Sequence, residues 1–399
     1  MSGLIAYLTD VEGRWPKLSS FAADNPAVSL EGSELRVAEG ATFVFGGDAI
    51  DRGPAGRRIV STLLAAKRRQ PGQVVLLSGN RDLNKMRLAR ELAGHPPAGA
   101  PPRARGAELL RWIFERTMGA RQAFEHRRAE LAATGMATDD EAVCASFAED
   151  AGPSGILGDY LGACQLAYRA GETLFVHGGV TSDNLGHVPG SAAVHEDVDV
   201  WVAELNAFHA RQVEAFCSDP ASNGYAELVA YQAPLPGSKL NEASVVYARP
   251  ADADNNPRLP APEVIEALRA AGVRRVVVGH TPSGDCPSVV RDGRGFELVL
   301  ADNSYGRVER GSQVFVAGRE LRVVGQAILD DGESVEVRFA ADLDDLDTPL
   351  GRRDPDSGRL IKAELARGDY LLFRGSPRYR IEQTAASPEA VKTMLRRGS

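Results

Sequence analysis

Short apolar runs that stop abruptly in polar clusters constrain this chain more than any other feature: "ATFVFGGDAIDRG", "GQVVLLSGNRD", "ETLFVHGG", "VRRVVVGHT" and "FELVLADNS". A further run, "LIAYLTDVEG", lies at the start of the sequence. A strand with one wet face alternates apolar and polar residues, whereas a strand covered on both faces is apolar throughout. Runs of the second kind, with helical stretches at Gly56–Arg69 and Pro262–Ala271 between them, predict an α/β architecture. The polar clusters then fall at strand ends, where such sheets hold ligands.

Between the runs the pattern changes. Residues 89–167 have a Pro-rich start, "GHPPAGAPPRARG", followed by apolar residues at helical spacing among charged ones. Residues 186–262 read as helical around Asp197–Phe216 and then as loop. From residue 307 the chain reads as β hairpins, one turning at Asp330–Gly332, with an acidic surface linker "DLDDLDTPLGRRDPDSGR". The expected organisation is a domain over 1–306, with helical insertions at about 89–167 and 186–262, and a β-rich C-terminal extension over 307–399.

Charge and cysteine usage narrow the partners. The net charge of -8 is unsuited to tracking nucleic acid, which requires a basic face, so no extended nucleic-acid binding is expected. The four cysteines lack C-x-x-C spacing, which disfavours a zinc knuckle or a disulfide framework and suits a reducing compartment. No apolar stretch reaches spanning length, and Asp10 lies too near the start for a leader to precede it, so a soluble cytoplasmic protein without a membrane partner is expected.

Asp10 and Glu12 stand one residue apart at the lip of the first run, and buried carboxylates are costly unless something positive meets them. Singly, such residues read as turn formers or helix caps, and His177 as a satisfied core histidine. Together, in chain order, D-x-E-G, G-D-x-x-D-R-G, G-N-R-D, V-H-G-G and G-H-T-P supply acids, an amide oxygen and two imidazoles at strand ends. That is the donor set of a two-metal site. Metal ions would then neutralise Asp10 and Glu12.

These motifs resemble those of the calcineurin-like metallophosphoesterases, in particular the phosphoprotein phosphatase branch with its bacterial members, which read GDxHG, GDxxDRG, GNHE, HGG and a later histidine. The resemblance spans about residues 4–306 and leaves out the insertions and the extension. It implies a layered β-sandwich flanked by helices and a centre of two divalent metal ions. Carried over by position, Asp10 and Glu12 hold the first metal, Asp48 bridges both, and Asn80, His177 and His280 complete the second site. Arg52 would grip the phosphoryl oxygens, its guanidinium matching phosphate with paired donors. In this family a hydroxide shared by the metals attacks phosphorus in line.

Two departures bear on the chemistry. Glu12 stands where the family usually has histidine, which favours manganese, with magnesium or iron as alternatives, over zinc. Arg81 replaces the GNHE histidine, which serves as the acid that protonates the leaving oxygen with help from the DRG aspartate, here Asp51. Arginine cannot donate that proton; an Arg81–Asp51 ion pair is expected, with Arg81 lending positive charge to the phosphate. Lys85 and Arg87 read first as a solvated helix face. His95, His126, His187, His195 and His209 are available as substitute acids, and their spacing selects none.

The functional expectation is a metal-dependent phosphatase for phosphomonoesters, its phosphorylated substrate a protein (phosphoserine, phosphothreonine or phosphotyrosine) or a small molecule. Hydrolysis of dinucleoside polyphosphates or other phosphoanhydrides is the alternative. A metal-poor binding module that has lost turnover is a third reading.

Overall fold

The computed structural model describes residues 3–304 and 306–397. In chain order its strands are β1 (Ile5–Leu8), β2 (Val28–Glu31), β3 (Glu34–Val37), β4 (Thr42–Phe45), β5 (Val74–Leu77), β6 (Cys164–Gln165), β7 (Ala167–Ala170) and β8 (Thr173–Val176). There follow β9 (Arg275–Val278), β10 (Ser288–Arg291), β11 (Glu297–Leu300), β12 (Gln313–Ala317) and β13 (Glu320–Ile328). The last are β14 (Ser334–Asp342), β15 (Leu360–Leu365), β16 (Tyr370–Ser376) and β17 (Arg380–Ala386).

They form a ten-stranded sheet, ordered β17-β16-β15-β14-β13-β12-β1-β4-β5-β6, a five-stranded sheet, ordered β10-β11-β9-β8-β7, and the small β2-β3 hairpin. Parallel pairing joins β1 to β4 and β4 to β5 in the first sheet, and β8 to β9 and β9 to β11 in the second.

The apolar runs are uninterrupted because each strand is buried on both sides. Ile5, Tyr7, Val44, Val75 and Leu77 meet Phe175, Val277 and Val299 in a core between the sheets, where the Tyr7 and Phe175 rings stack 5.7 Å apart. Their neighbours Ala6, Leu8, Phe43, Phe45, Leu76, Val176, Val278 and Leu300 face the other way, into a core shared with the helices. Helix Gly56–Arg69 contributes Ile59, Val60, Leu63 and Leu64, a stripe at helical spacing. The fold is therefore α/β, as the apolar runs predict, and takes the form of a layered β-sandwich flanked by helices, as the resemblance implies.

Both insertions carry helices: Gly106–Arg116, Ala123–Ala133, Asp140–Asp150 and Ile156–Gly162 in the first, Val198–Ser218 and Ala226–Tyr231 in the second. Asp197 starts the longest of these, its carboxylate accepting from the Asp199 and Val200 N–H groups at 2.8 and 3.1 Å. After residue 306, β12 pairs antiparallel with β1, Ile5 opposite Val316, and β13–β17 follow as consecutive antiparallel neighbours. The change at residue 306 is thus from parallel to antiparallel order within one continuous sheet. Among the described residues no helix is long and apolar enough to cross a membrane.

Candidate metal centre

Six parallel strands end at one edge of the sandwich, and each delivers a polar residue there: Asp10 after β1, Asp48 after β4, Asn80 after β5, His177 after β8, His280 after β9 and Asp302 after β11. The turns are tight. Asp10, Glu12, Asp48, Asp51 and His280 all have left-handed backbones, with φ of 50°, 49°, 57°, 106° and 58°. That conformation costs a non-glycine residue roughly 1–2 kcal/mol and persists only where surrounding bonds hold it. Here the Asp10 N–H donates to Gly47 O and the Glu12 N–H to Asp48 O, both at 2.9 Å, and the Arg52 N–H to Glu12 O at 2.7 Å, lacing the first two loops together.

Gly79 is required for a different reason: a Cβ there would stand 2.1 Å from Asp48 Oδ1 and 2.2 Å from the Asp48 nitrogen. Asp82 secures the same turn, accepting from the Asp48, Ala49 and Gly79 N–H groups at 2.9, 2.9 and 3.0 Å. Burial, and then the charge of Asp48, raises its carboxyl to about 7.

The donor atoms converge. Ligand atoms of Asp10, Asp48 and His177 all lie within 4.8 Å of one another. His177 Nδ1 is 2.7 Å from the Gly46 carbonyl, which can only accept, so Nδ1 carries the proton and Nε2 presents a lone pair. That lone pair faces Asp48 Oδ1 at 3.4 Å and Asn80 Oδ1 at 3.3 Å, and Asn80 Oδ1 is 2.8 Å from His280 Nδ1. Acceptors facing acceptors repel unless a cation lies among them. Donors sharing one ion at about 2.1 Å stand about 3.0–3.4 Å apart, so Asp48, Asn80 and His177 fit a common divalent ion, with His280 adjoining.

Electrostatics agrees. Burial, then the carboxylates of Asp302, Asp48 and Glu12, pushes Asp10 well above the usual carboxylate range. Burial, then chiefly the guanidinium charge of Arg249 and, less, that of Arg81, holds His280 well below its usual value, neutral and ready to ligate. Glu12 rises to about 7 through burial, against the opposing pull of Arg81 and Arg52.

Glu12 reaches the site in company. Arg81 Nε lies 2.8 Å from Glu12 Oε1, and Arg52 Nε is 3.5 Å from the same oxygen. Arg81 also stands 3.5 Å from both Asp48 Oδ2 and Asp51 Oδ2. The close partner of Asp51 is Lys85, whose Nζ donates to Asp51 Oδ2 at 2.7 Å and to the Arg81 carbonyl at 3.2 Å. Two expectations are corrected here. Lys85 is buried beneath the site instead of lying on a solvated face, because Asp51 needs a counter-charge and Arg81 is drawn to Glu12. Arg87 is not a free surface cation either: it lines the cavity above the donors.

Three further residues at this cavity escaped the sequence reading. Asp302 is buried beside Asp10, and its signal was the run "FELVLADNS", whose acid matched no motif. Tyr247 and Arg249 come from irregular chain without periodicity, so nothing local marked them. The Tyr247 ring lies 4.9 Å from that of His280, and the buried Arg249 Nε has no hydrogen-bond partner among the described residues. None of His95, His126, His187, His195 and His209 lines the cavity. His209 instead bonds Ser78 Oγ at 2.8 Å under β5. The extension braces the loop after His280: Lys362 Nζ donates to the Ser283 carbonyl, and Gln383 Nε2 to Asp285 Oδ2 at 2.6 Å.

The sequence matches no protein-family model and no curated protein. Solved structures similar to this chain include a cold-active protein-tyrosine phosphatase of the psychrophile Shewanella sp., 14% identical, TM-score 0.45, covering 84% of this chain and 80% of that one. A protein serine/threonine phosphatase from Saccharomyces cerevisiae is 14% identical, TM-score 0.40, over 91% and 83%. A metallophosphoesterase from Sphaerobacter thermophilus is 12% identical, TM-score 0.34, over 88% and 92%. Matches this distant assign no activity to the chain.

Proposed function

We propose that this protein is a metal-dependent phosphoric ester hydrolase that cleaves phosphomonoesters at a centre of two divalent ions. The observation that carries the reading is the set of proton-poor donors of Asp48, Asn80 and His177 facing one another, with Asp10 and Glu12 alongside and guanidinium groups over the same cavity. Bound divalent ions would supply an activated water and neutralise the phosphate. Asp10, Glu12 and Asp48 would serve the first ion, and Asp48, Asn80, His177 and His280 the second. Carboxylates outnumber imidazoles in this set, which favours manganese over zinc.

The remaining residues act on charge and position. Arg81 and Arg249 line the cavity and would hold the phosphoryl oxygens, Arg249 having no carboxylate within ion-pairing distance among the described residues. Arg52, expected to grip the phosphoryl oxygens, is not among the residues lining the cavity and stands 3.5 Å from Glu12 Oε1 instead, so its role here is to hold Glu12. Asp51, engaged by Lys85, orients the turn that carries Arg81.

The test is metal content followed by turnover. Dialysed protein should take up two equivalents of manganese, and the loaded protein should hydrolyse 4-nitrophenyl phosphate. Asp48→Asn should lose nearly all turnover while remaining folded, since one carboxylate serves both ions. Retention of more than about a tenth of the activity in excess manganese, a loss far smaller than a ligand to both ions implies, defeats the assignment.

A further inference from the structure

The metal-binding donors lie at the floor of a cavity of about 210 Å³. Drug-sized ligands fill roughly 300–1,000 Å³, so this space is small. Its walls come from the two insertions: Thr117–Gly119, after helix Gly106–Arg116, and Gln232–Pro234, after helix Ala226–Tyr231.

Both walls are pinned. Thr117 Oγ1 donates to the Ile113 carbonyl at 2.9 Å and accepts from Arg87 Nη2 at 3.0 Å. On the other side the buried Asn241 donates to the Tyr231 and Ala233 carbonyls at 3.3 and 2.9 Å, and the Tyr231 hydroxyl accepts from the Val245 N–H at 2.9 Å. A phosphorylated residue within a polypeptide brings chain on both sides, about 3.3 Å for each extended residue, and needs a groove open at both ends. Walls tied to the helices behind them hold the cavity at about 210 Å³ and resist being spread to admit that chain.

Charge is distributed along the cavity. Arg249 lines the same cavity as His280 and Tyr247, near the floor. Arg87 stands by the Thr117 wall, its side chain 19% exposed. Its fork is pre-set: Nε donates to Glu91 Oε1 at 2.8 Å, Nη1 to Asn84 Oδ1 at 2.9 Å and Nη2 to Thr117. Nη2 also meets Glu91 Oε1 at 2.7 Å, so of five guanidinium N–H groups four are engaged and, among the described residues, one on Nη1 is left over for a ligand.

We propose that this cavity selects small phosphorylated molecules bearing a second anionic group, and that Arg87 recognises that group while the insertion walls exclude phosphoproteins. The inference rests on the phosphoesterase reading above.

The manganese-loaded full chain decides it with matched pairs of esters. Free phosphotyrosine should exceed the same residue within a dodecapeptide by at least about tenfold in kcat/KM, the scale of one lost charged contact. Arg87→Gln should raise KM for 4-carboxyphenyl phosphate about tenfold more than for phenyl phosphate, with little difference in kcat. The double variant Arg87→Gln/Glu91→Gln, which leaves no lone buried carboxylate, should show the same selectivity loss. Equal rates on peptide and free phosphotyrosine, or equal KM changes for the two aryl esters, overturn the inference and leave the phosphoesterase reading standing. No turnover of any ester overturns both.

Discussion

Replacing Lys85 by methionine separates the two jobs of the positive charge under the site. The Lys85–Asp51 pair spans 2.7 Å with side chains only 4% and 3% exposed, so Lys85→Met leaves a carboxylate in a low-dielectric pocket with Arg81 at 3.5 Å as its remaining cation. Stripping one partner from a buried pair costs about 3–5 kcal/mol, and the approach of Arg81 returns part of it, leaving about 2–4 kcal/mol. An unfolding entropy of about 2.1 cal/mol/K per residue over this length converts that to a melting point lower by about 2–5 °C. The same swing would draw Arg81 away from Glu12, where it now sits at 2.8 Å, and so weaken retention of phosphate.

Scanning calorimetry of Lys85→Met, Asp51→Asn and the double variant measures the coupling directly. Asp51→Asn should cost less in the Lys85→Met background than alone, by on the order of 2 kcal/mol. Vanadate inhibition supplies the second readout, since its inhibition constant should rise in Lys85→Met and recover in Lys85→Arg. Strictly additive single substitutions, or a Lys85→Met melting point within about 1 °C of wild type, refute the reasoning.

Other perturbations address separate parts of the fold. Gly79→Ala should abolish manganese uptake and lower stability by at least about 2 kcal/mol, because its Cβ meets Asp48 backbone that has nowhere to move; uptake at the wild-type stoichiometry is the refuting outcome. His209 is held by burial at about 4 against its usual 6.5. The unfolded chain therefore takes up a proton the native state refuses, so stability is complete above pH 6.5 and falls as pH drops towards 4, by about 3 kcal/mol from this group. Urea melts of His209→Gln across that window should lack this component, and a pH slope identical to wild type counts against it.

The strand-end residues were legible because their cause is local. A strand buried on both faces must be apolar throughout, so the point where Leu8, Phe45, Leu77, Val176 and Val278 give way to polar residues marks the sheet edge without any knowledge of the partners. That boundary places Asp10, Asp48, Asn80, His177 and His280 at strand ends, and it is the order of their motifs together that singles them out as donors. The alternation of Tyr7 and Val44 towards one core, with Leu8 and Phe45 towards the other, was equally implicit, since successive side chains on a strand point to opposite faces.

What the sequence by itself determined, then, is the α/β layering, the shared strand-end edge and the kind of atoms collected there, the sandwich being implied by the resemblance of its motifs. Charge pairing was decided only in three dimensions. Lys85 and Arg81 are four residues apart on one turn of chain, and which of them takes Asp51 depends on Glu12, placed nearby by a separate strand. Asp302, Arg249 and Tyr247 enter through long-range packing that leaves no periodic trace. The antiparallel addition of β12 to β1 is likewise a pairing between residues more than 300 positions apart, Ile5 with Val316, and backbone hydrogen bonds carry no side-chain code that could announce it.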